Sequence, residues 1–283
     1  MRYDERLIGI KPSPKNLRES RSRLSAMFKR RFDDRVAQRK EQRSIVLAEA
    51  GVMRRLAKDD RSVAAAVKRA RRQAALGAKQ KLPAPKAAKV AGRERLGSIA
   101  LTLVPPFWPW QWSATSGSSA TATTSANGNA GTMGFMAYTG DNGKTASTAT
   151  ALGYYFRPLA DNGVMFVMAN PAVSYYLNTW TVFDSAHAGG FIGLYVGQYT
   201  LQGQFVGAVV DQQIDLSTVG GGSQGTNSGY PLFAWTPVDS AHFYEVWVWA
   251  GVDAEADGWS VFWGSGALSY GSVTVPSISI YAY

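Results

Sequence analysis

The sequence predicts a mainly β protein, an antiparallel β-sandwich preceded by a basic α-helical N-terminal arm. The first observation is charge: residues 1–97 hold 28 Lys and Arg against 10 Asp and Glu, whereas residues 98–283 hold 2 against 10. The second is that all nine Trp lie in the second piece. The third is that short apolar runs from residue 96 onward alternate with Gly, Asn, Asp and Ser breaks, which is typical of a sandwich or barrel.

The arm starts with a predicted helix at Ser13, a common N-cap residue that Pro follows at the first helical position. Apolar residues then recur at steps of seven and four, which predicts one helical face formed by Leu17, Leu24, Phe28, Phe32 and Val36. Gly51 is the predicted end of this helix. A second helix is predicted to begin at Asp59 or Asp60 and to end near Gly77. Because each of these helices has little apolar area to bury by itself, we expect them to pack on the β-domain, on sister subunits or on another protein.

The predicted organisation is a basic helical arm over residues 1–78, a Lys/Ala/Pro linker over 79–97 and an antiparallel sandwich over 98–283. The excess of positive charge in the first 97 residues predicts docking onto an acidic surface or non-specific capture of nucleic-acid phosphates, with a solvated charged helix as the alternative. The cations singled out for this role are Arg30, Arg31, Arg69, Arg71 and Arg72.

The second piece offers twelve predicted strands, separated by turn residues. They are 98–104, 132–138, 146–156, 163–169, 173–183, 190–199, 203–210, 230–235, 242–250, 258–263, 266–275 and 277–283. Residues 104–112 form a rigid aromatic tract, and the Ser/Thr/Ala-rich stretch 113–132 predicts either a long loop or weak strands with little burial. Residues 220–229 are predicted to be a loop.

The segment 243–249 is apolar on both faces of a predicted strand. One face carries Phe, Glu and two Trp, and the other carries Tyr and two Val. A sheet with one face in solvent would carry polar residues on that face. We therefore expect one face to meet the opposing sheet and the other to meet the helical arm, a loop or another subunit.

The tetrapeptide Asp-Ser-Ala-His occurs twice and contains both histidines of the chain. Such pairs offer nitrogen and oxygen ligands to a metal, or an acid–base pair, although turn capping before a strand explains them more simply. The weak metal candidates are Asp184, His187, Asp239 and His242. Asp253, Glu255 and Asp257 are expected to lie in a solvated loop, with calcium as the weaker alternative.

Several function classes find no support in the sequence. There is no cysteine and no Gly-x-Ser-x-Gly motif, so we expect no catalytic residues, no cofactor and no enzyme activity. We expect no signal peptide and no membrane contact, which places synthesis in the cytoplasm. The tryptophans remain candidates for assembly contacts or sugar platforms: Trp108, Trp110, Trp112, Trp247, Trp249, Trp259 and Trp263.

A basic N-terminal arm, a Pro-containing linker and a Ser/Thr/Gly-rich antiparallel sandwich together resemble structural proteins of virus and phage particles, of the jelly-roll capsid or the spike and fibre type. The resemblance is one of architecture and rests on no residue motif. It implies a jelly-roll-like sandwich, a homo-oligomer (trimer or higher), other particle proteins as partners, and a place in the virion. The capped helices favour an arm that packs on protein. The alternative function is a glycan- or receptor-binding module with Trp and Tyr platforms.

Overall fold

A computed structural model describes residues 7–62, 64–65, 68–69, 72, 101–117, 119–140, 144–159, 163–180, 186–216, 223–256 and 266–282. The elements in chain order are β1 (Leu7–Ile10), α1 (Pro14–Asp59), β2 (Leu101–Leu103), β3 (Trp108–Ser116), β4 (Ala120–Asn127), β5 (Thr132–Gly140), β6 (Lys144–Pro158), β7 (Gly163–Ala169), β8 (Ala172–Trp180), β9 (Ala186–Thr200), β10 (Phe205–Leu216), β11 (Ser223–Ser228), β12 (Leu232–Val238), β13 (His242–Ala256), β14 (Gly266–Thr274) and β15 (Ile278–Ala282). Across these ranges, no helix combines the length and the apolar character that a membrane span needs.

The strands form two layers, and every strand pairing is antiparallel. The first layer is one sheet in the order β1-β6-β13-β9-β10, with β3 also paired to β6. The second layer consists of two sheets, β11-β8-β14-β5-β4 and β12-β7-β15-β2. Three consecutive strand pairs, β7/β8, β11/β12 and β14/β15, each cross from one of these sheets to the other. Pro171, Pro231 and Pro276 lie at the three crossings, where the missing N–H interrupts the ladder.

The connectivity between the layers is that of a double Greek key. The first layer places β6, β13, β9 and β10 side by side. The second layer places β5, β14/β15, β7/β8 and β11/β12 side by side. The chain crosses between layers at each step except from β9 to β10, which is the eight-stranded jelly-roll pattern. The predicted antiparallel, jelly-roll-like sandwich with an N-terminal helix is confirmed.

The core lies between the layers and follows from alternation along each strand. On β13, Tyr244, Val246 and Val248 point into it and are fully buried. Leu177 and Ile280 reach the same core from the second layer. The alternate residues of β13 point to the other side of the first layer, where α1 lies.

The predicted helix start is confirmed, because Ser13 is the N-cap and its Oγ accepts a hydrogen bond from the Asn16 N–H at 3.1 Å. The predicted end at Gly51 is wrong. The helix continues to Asp59, since one interior glycine costs about 1 kcal/mol relative to alanine and strong helix formers surround it. Asp60 begins a further helical turn, accepting from the Ser62 N–H at 2.7 Å. The predicted end near residue 77 and the linker 79–97 lie outside the described residues.

Two predicted loops contain strands. The stretch 113–132 continues β3 and forms β4, whose residues alternate between half-buried and exposed. The alternative of weak strands with little burial is therefore the correct one. The predicted loop 220–229 contains β11, which pairs with β8. The predicted strand 258–263 lies outside the described residues.

Candidate functional site

The helix α1 runs along β13, on the outer side of the first layer. Ser20 contacts Glu245, Phe28 contacts Trp249, and Arg35 contacts Asp253. Each step of four residues along the strand spans about 13 Å, and the matching seven or eight helical residues span about 11 Å. The helical repeat of the arm therefore matches the repeat of outward-facing residues on this strand.

The contact between α1 and the sheet is a buried aromatic cluster. Leu24 and Phe28 are each 2% exposed and lie at its centre. The ring of Phe28 lies 5.3 to 6.0 Å, centroid to centroid, from four other rings: Trp110, Trp112, Phe191 and Trp249. The second apolar face of β13 is thus covered by the helical arm, which was one of the three expected covers.

Glycines on neighbouring strands make room for the large rings of this cluster. Gly153 is the cross-strand partner of Trp247, and Gly193 is that of Trp249. A Cβ atom at either glycine would overlap the tryptophan ring. The rings therefore lie over neighbouring strands that carry no side chain there, which lets two fully buried tryptophans fit beneath a helix.

A polar network lies at the N-terminal end of the interface. The Ser20 hydroxyl lies 2.6 Å from the Tyr155 hydroxyl and 2.7 Å from that of Tyr199, and it donates to Glu245. Arg23 places a guanidinium nitrogen 3.5 Å from the other Glu245 oxygen. Burial raises the pKa of Glu245, although Ser20 and Arg23 act in the opposite direction. The network fixes the helix on the sheet at a defined position.

Burial also raises the pKa of Tyr195 to about 12, with the nearby charge of Glu245 as the second cause. The hydroxyls near this carboxylate therefore remain protonated at neutral pH. They can donate hydrogen bonds to Glu245, which is 1% exposed and needs such donors once it is removed from water.

At the other end of the interface, Arg35 pairs with Asp253. Burial acts to lower the pKa of Arg35, but the carboxylates of Asp253, Glu255 and Asp215 outweigh it, so that pKa is raised. Asp253 also accepts a hydrogen bond from the Ser147 hydroxyl at 2.5 Å. A cavity of about 300 Å³ adjoins this pair, and Gln38, His187 and Glu255 are among its lining residues.

The predicted solvated loop for the acidic residues is wrong. Asp253 and Glu255 lie on β13, on the side that faces α1, and are 2% and 5% exposed. Asp257 lies outside the described residues. Sequence reasoning missed this because acidic residues are usually exposed to solvent. Here Arg35, from a distant segment, provides the positive charge that allows the strand to bury them.

The arm and the sheet have complementary charges. Five of the ten acidic residues of 98–283 lie on the α1 side of the first layer: Asp211, Asp215, Glu245, Asp253 and Glu255. Arg31 lies 3.5 Å from Asp211 and donates to Gln213 at 2.7 Å. Part of the charge asymmetry of the sequence therefore belongs to this interface, where Arg23, Arg31 and Arg35 pair with carboxylates of the sheet. Arg30, Arg69 and Arg72 are exposed, and Arg71 lies outside the described residues.

The two histidines of the Asp-Ser-Ala-His segments lie at opposite ends of the first layer. His242 places Nδ1 2.6 Å from the Asp239 carboxylate, and its strand partner is Thr200. His187 lies on β9, opposite Glu255. Thirteen residues of β9 separate His187 from Thr200, the strand partner of His242, so the two histidines lie about 43 Å apart along the sheet. Among the described residues, no three His, Asp or Glu are grouped to hold a metal ion; Asp184 lies outside them.

The tryptophans singled out from the sequence lie beside α1 wherever the structure describes them. Trp110, Trp247 and Trp249 are buried under α1. Trp108 and Trp112 are half-buried and pack on the same cluster. Trp259 and Trp263 lie outside the described residues. These candidates, where described, belong to the helix–sheet interface.

Sequence reasoning missed Trp235, whose side chain is 57% exposed on β12. Its ring lies 4.5 Å from that of Phe166, and Phe233 beside it is 49% exposed. The available signal was the flanking pair Pro231 and Pro237, because prolines mark an edge strand.

The helix has a second half that leaves the sheet. From Ala37 to Arg72, every side chain whose exposure the structure describes is exposed. Val52 and Leu56, one helical turn apart, are 48% and 47% exposed. Residues 37–59 extend for about 34 Å.

No protein-family model matches this chain, and no curated protein matches it. Weak likenesses to solved structures exist. A carbohydrate-binding module, TmCBM61 in complex with beta-1,4-galactotriose, is 9% identical over 61% of this chain and 88% of its own, with a TM-score of 0.18. The enzymatically active domain of tailspike protein 4 of bacteriophage CBA120 is 12% identical over 51% of this chain and 18% of its own, with a TM-score of 0.17.

A third likeness is to infectious bursal disease virus, Gx strain, at 11% identity over 70% of this chain and 46% of the other, with a TM-score of 0.17. The three solved structures thus include particle proteins and a sugar-binding module. At these TM-scores none of them carries an argument about function, which must rest on the surfaces of the molecule itself.

Proposed function

We propose that this chain is a structural component of a virion or virion-like particle. In this proposal the distal half of α1, residues 37–59, docks onto the particle, and the jelly roll forms shell, spike or fibre. No catalytic role is proposed.

The observation that carries the proposal is that the residues of α1 beyond Val36 whose exposure the structure describes are all exposed. Most helical stability in proteins comes from the packing of an amphipathic face, so a partner that buries one face of this half would stabilise it. Val52 and Leu56 supply apolar area for such a contact. The proximal half already holds the helix rigidly on the sheet, so the distal half is presented at a fixed angle. A fixed protruding helix suits an assembly contact better than it suits a freestanding binding module.

The experiment compares assembly of the full chain with that of a double variant, Val52→Asp/Leu56→Asp. Light scattering and negative-stain microscopy at micromolar concentration should show the wild type in a large assembly and the variant in small species. The control, Ala37→Asp/Ala64→Asp, adds the same charge at exposed positions and should assemble normally. A wild type that remains small, alone and with other particle proteins, would contradict the proposal.

A second candidate function is the binding of a glycan or receptor, and the exposed ring of Trp235 favours it. Tryptophan rings bind the apolar faces of sugars by stacking, and this ring is more than half exposed. A glycan array with the full chain tests this candidate. Binding that is lost in Trp235→Ala and kept in Val206→Ala, an exposed position on β10, would support it.

A further inference from the structure

The second layer differs from the first in its charge, as far as its described strands show. None of the nine strands that form this layer contains Asp, Glu, Lys or Arg. Soluble proteins ordinarily carry charged residues at about a quarter to a third of surface positions. Interfaces between proteins show the opposite pattern at their centres, where charge is depleted and aromatic residues are enriched. We call the outer face of this layer the uncharged face.

Aromatic rings form a row across the uncharged face. Trp235, Phe166 and Tyr281 are cross-strand neighbours on β12, β7 and β15, with ring centroids 4.5 and 5.7 Å apart. Tyr281 is 1% exposed, so the open part of the row is Trp235 and the half-buried Phe166. Phe233 and Val164, 49% and 43% exposed, extend the row into a patch. An exposed apolar patch of this kind marks an interaction site.

We propose that the uncharged face binds the same face of a second copy of this chain, in a two-fold contact within the assembly. This inference rests on the proposed structural function and names one of its interfaces. The face is five strands wide and about 16 residues long, which gives roughly 20 by 50 Å, or about 1,000 Å². A stable interface needs about 800 Å² from each partner, and the outline of the face is of that order. The outward-facing Leu268 and Tyr270 of the central strand β14 are only 8% and 7% exposed, so most of the open apolar area lies on β12 and β7.

Charge favours a second copy over a different protein. An uncharged face offers no ion pairs that would select a particular heterologous partner, and it meets its own copy without repulsion. The basic arm lies on the opposite side of the sandwich. Pairing through the uncharged face therefore places the two α1 helices about 50 Å apart, at about 10 Å for each packed layer. That distance exceeds the screening length of about 8 Å at physiological salt several-fold.

The chemistry of the patch favours protein over sugar. Its rings tilt by 37° to 46° against one another and touch, so they form one apolar surface and not separate flat platforms. Val164 and Met168 add aliphatic and thioether groups, which pack on protein and offer no hydrogen bond to a sugar hydroxyl. A neutral glycan as the occupant is the outcome that the test must exclude.

The experiment is sedimentation velocity of the full chain from about 1 to 50 μM, with two variants. Trp235→Glu places a charge at the centre of the face and should weaken the two-fold contact at least about 100-fold. Val206→Glu, 53% exposed on the first layer, should leave it unchanged. Phe233→Glu repeats the test at a second position. Matching thermal melts of wild type and variants would show that the fold is intact.

Three results would overturn the inference: a wild type that is monomeric at about 50 μM, association that Trp235→Glu does not weaken, or a monomer that binds a neutral glycan through Trp235. Failure of the proposed function has a different signature. In that case the pair forms and depends on Trp235, but no larger assembly appears and Val52→Asp/Leu56→Asp changes nothing.

Discussion

The two halves of α1 share one helix and one basic composition but meet different surroundings. In the proximal half, Leu24 and Phe28 are 2% exposed, and Arg35 has a buried carboxylate partner. In the distal half, Val52 and Leu56 are nearly half exposed. Apolar periodicity is present in both halves, so it does not decide which half is covered. The deciding factor is a strand that carries matching side chains, as β13 does over residues 245–253 and nowhere beyond its end at Ala256.

Removal of residues 1–60 should give the largest effect and tests the proximal half as a whole. The sequence predicts that residues 98–283 fold alone, and this stays a prediction. Without the arm, Trp247 and Trp249 would face water, so we expect a β-rich fragment that self-associates and binds hydrophobic dyes. Supplying residues 1–60 as a separate peptide should restore a soluble product. Circular dichroism and dye fluorescence measure both effects, and a fragment that is soluble and dye-free alone would contradict the account.

Phe28→Ala and Leu56→Ala compare the two halves at single positions. Phe28 contacts four rings, so its truncation should lower the free energy of unfolding by about 3 to 5 kcal/mol. Leu56→Ala should change it by less than about 0.5 kcal/mol in the isolated chain. Urea denaturation measures both values. Equal effects would mean that the distal half is covered within the same chain.

Arg35→Ala and Arg55→Ala make the same comparison for charge. Loss of Arg35 leaves Asp253 buried without its cation, so we expect a loss of about 1 to 3 kcal/mol. Arg55 is exposed, and its removal should change stability by less than about 0.5 kcal/mol. Thermal melts of the two variants measure both effects. If Arg35→Ala is as stable as the wild type, the ion pair with Asp253 does not help to hold α1 on the sheet.

The smallest expected effect is a pH dependence that belongs to Glu245. Its pKa is higher in the folded protein than the ordinary value of 4.5, so the folded state holds the proton more tightly than the unfolded state. This contribution to stability is fully present below pH 4.5 and is lost as the pH rises through the folded pKa. Glu245→Gln should remove that part of the slope of stability against pH. Identical slopes for the two proteins would show that the carboxylate stays ionised throughout.

Local patterns in the sequence were sufficient for much of the fold. The cap at Ser13, the apolar face of α1 and the two faces of β13 all follow from residue types and periodicity. The end of α1 could not be predicted from Gly51, because a single glycine is a weak signal against good helix formers on both sides.

The candidate site was less predictable because it depends on pairs that are distant in sequence. The sequence gives the number of arginines and carboxylates but not that Arg35 meets Asp253, 218 positions away. Nor does alternation along β12 reveal which of its faces is open, so Trp235 went unnoticed while buried tryptophans were singled out. The sequence gives the number of charges and aromatic rings, but it does not show which of them the folded chain covers and which it leaves exposed.

The exposed half of α1 also has a mechanical consequence. The helix packs along the sheet as far as Arg35, and those residues of 37–59 whose exposure the structure describes are exposed, so the helix can act as a lever that pivots at the end of the sheet. A tilt of about 10° at the fulcrum would move Asp59 by about 6 Å, more than the spacing between two strands. Small changes in the seating of Phe28 or Arg35 would thus be enlarged at the tip, and substitutions deep in the sheet would alter where the arm reaches without touching the arm itself.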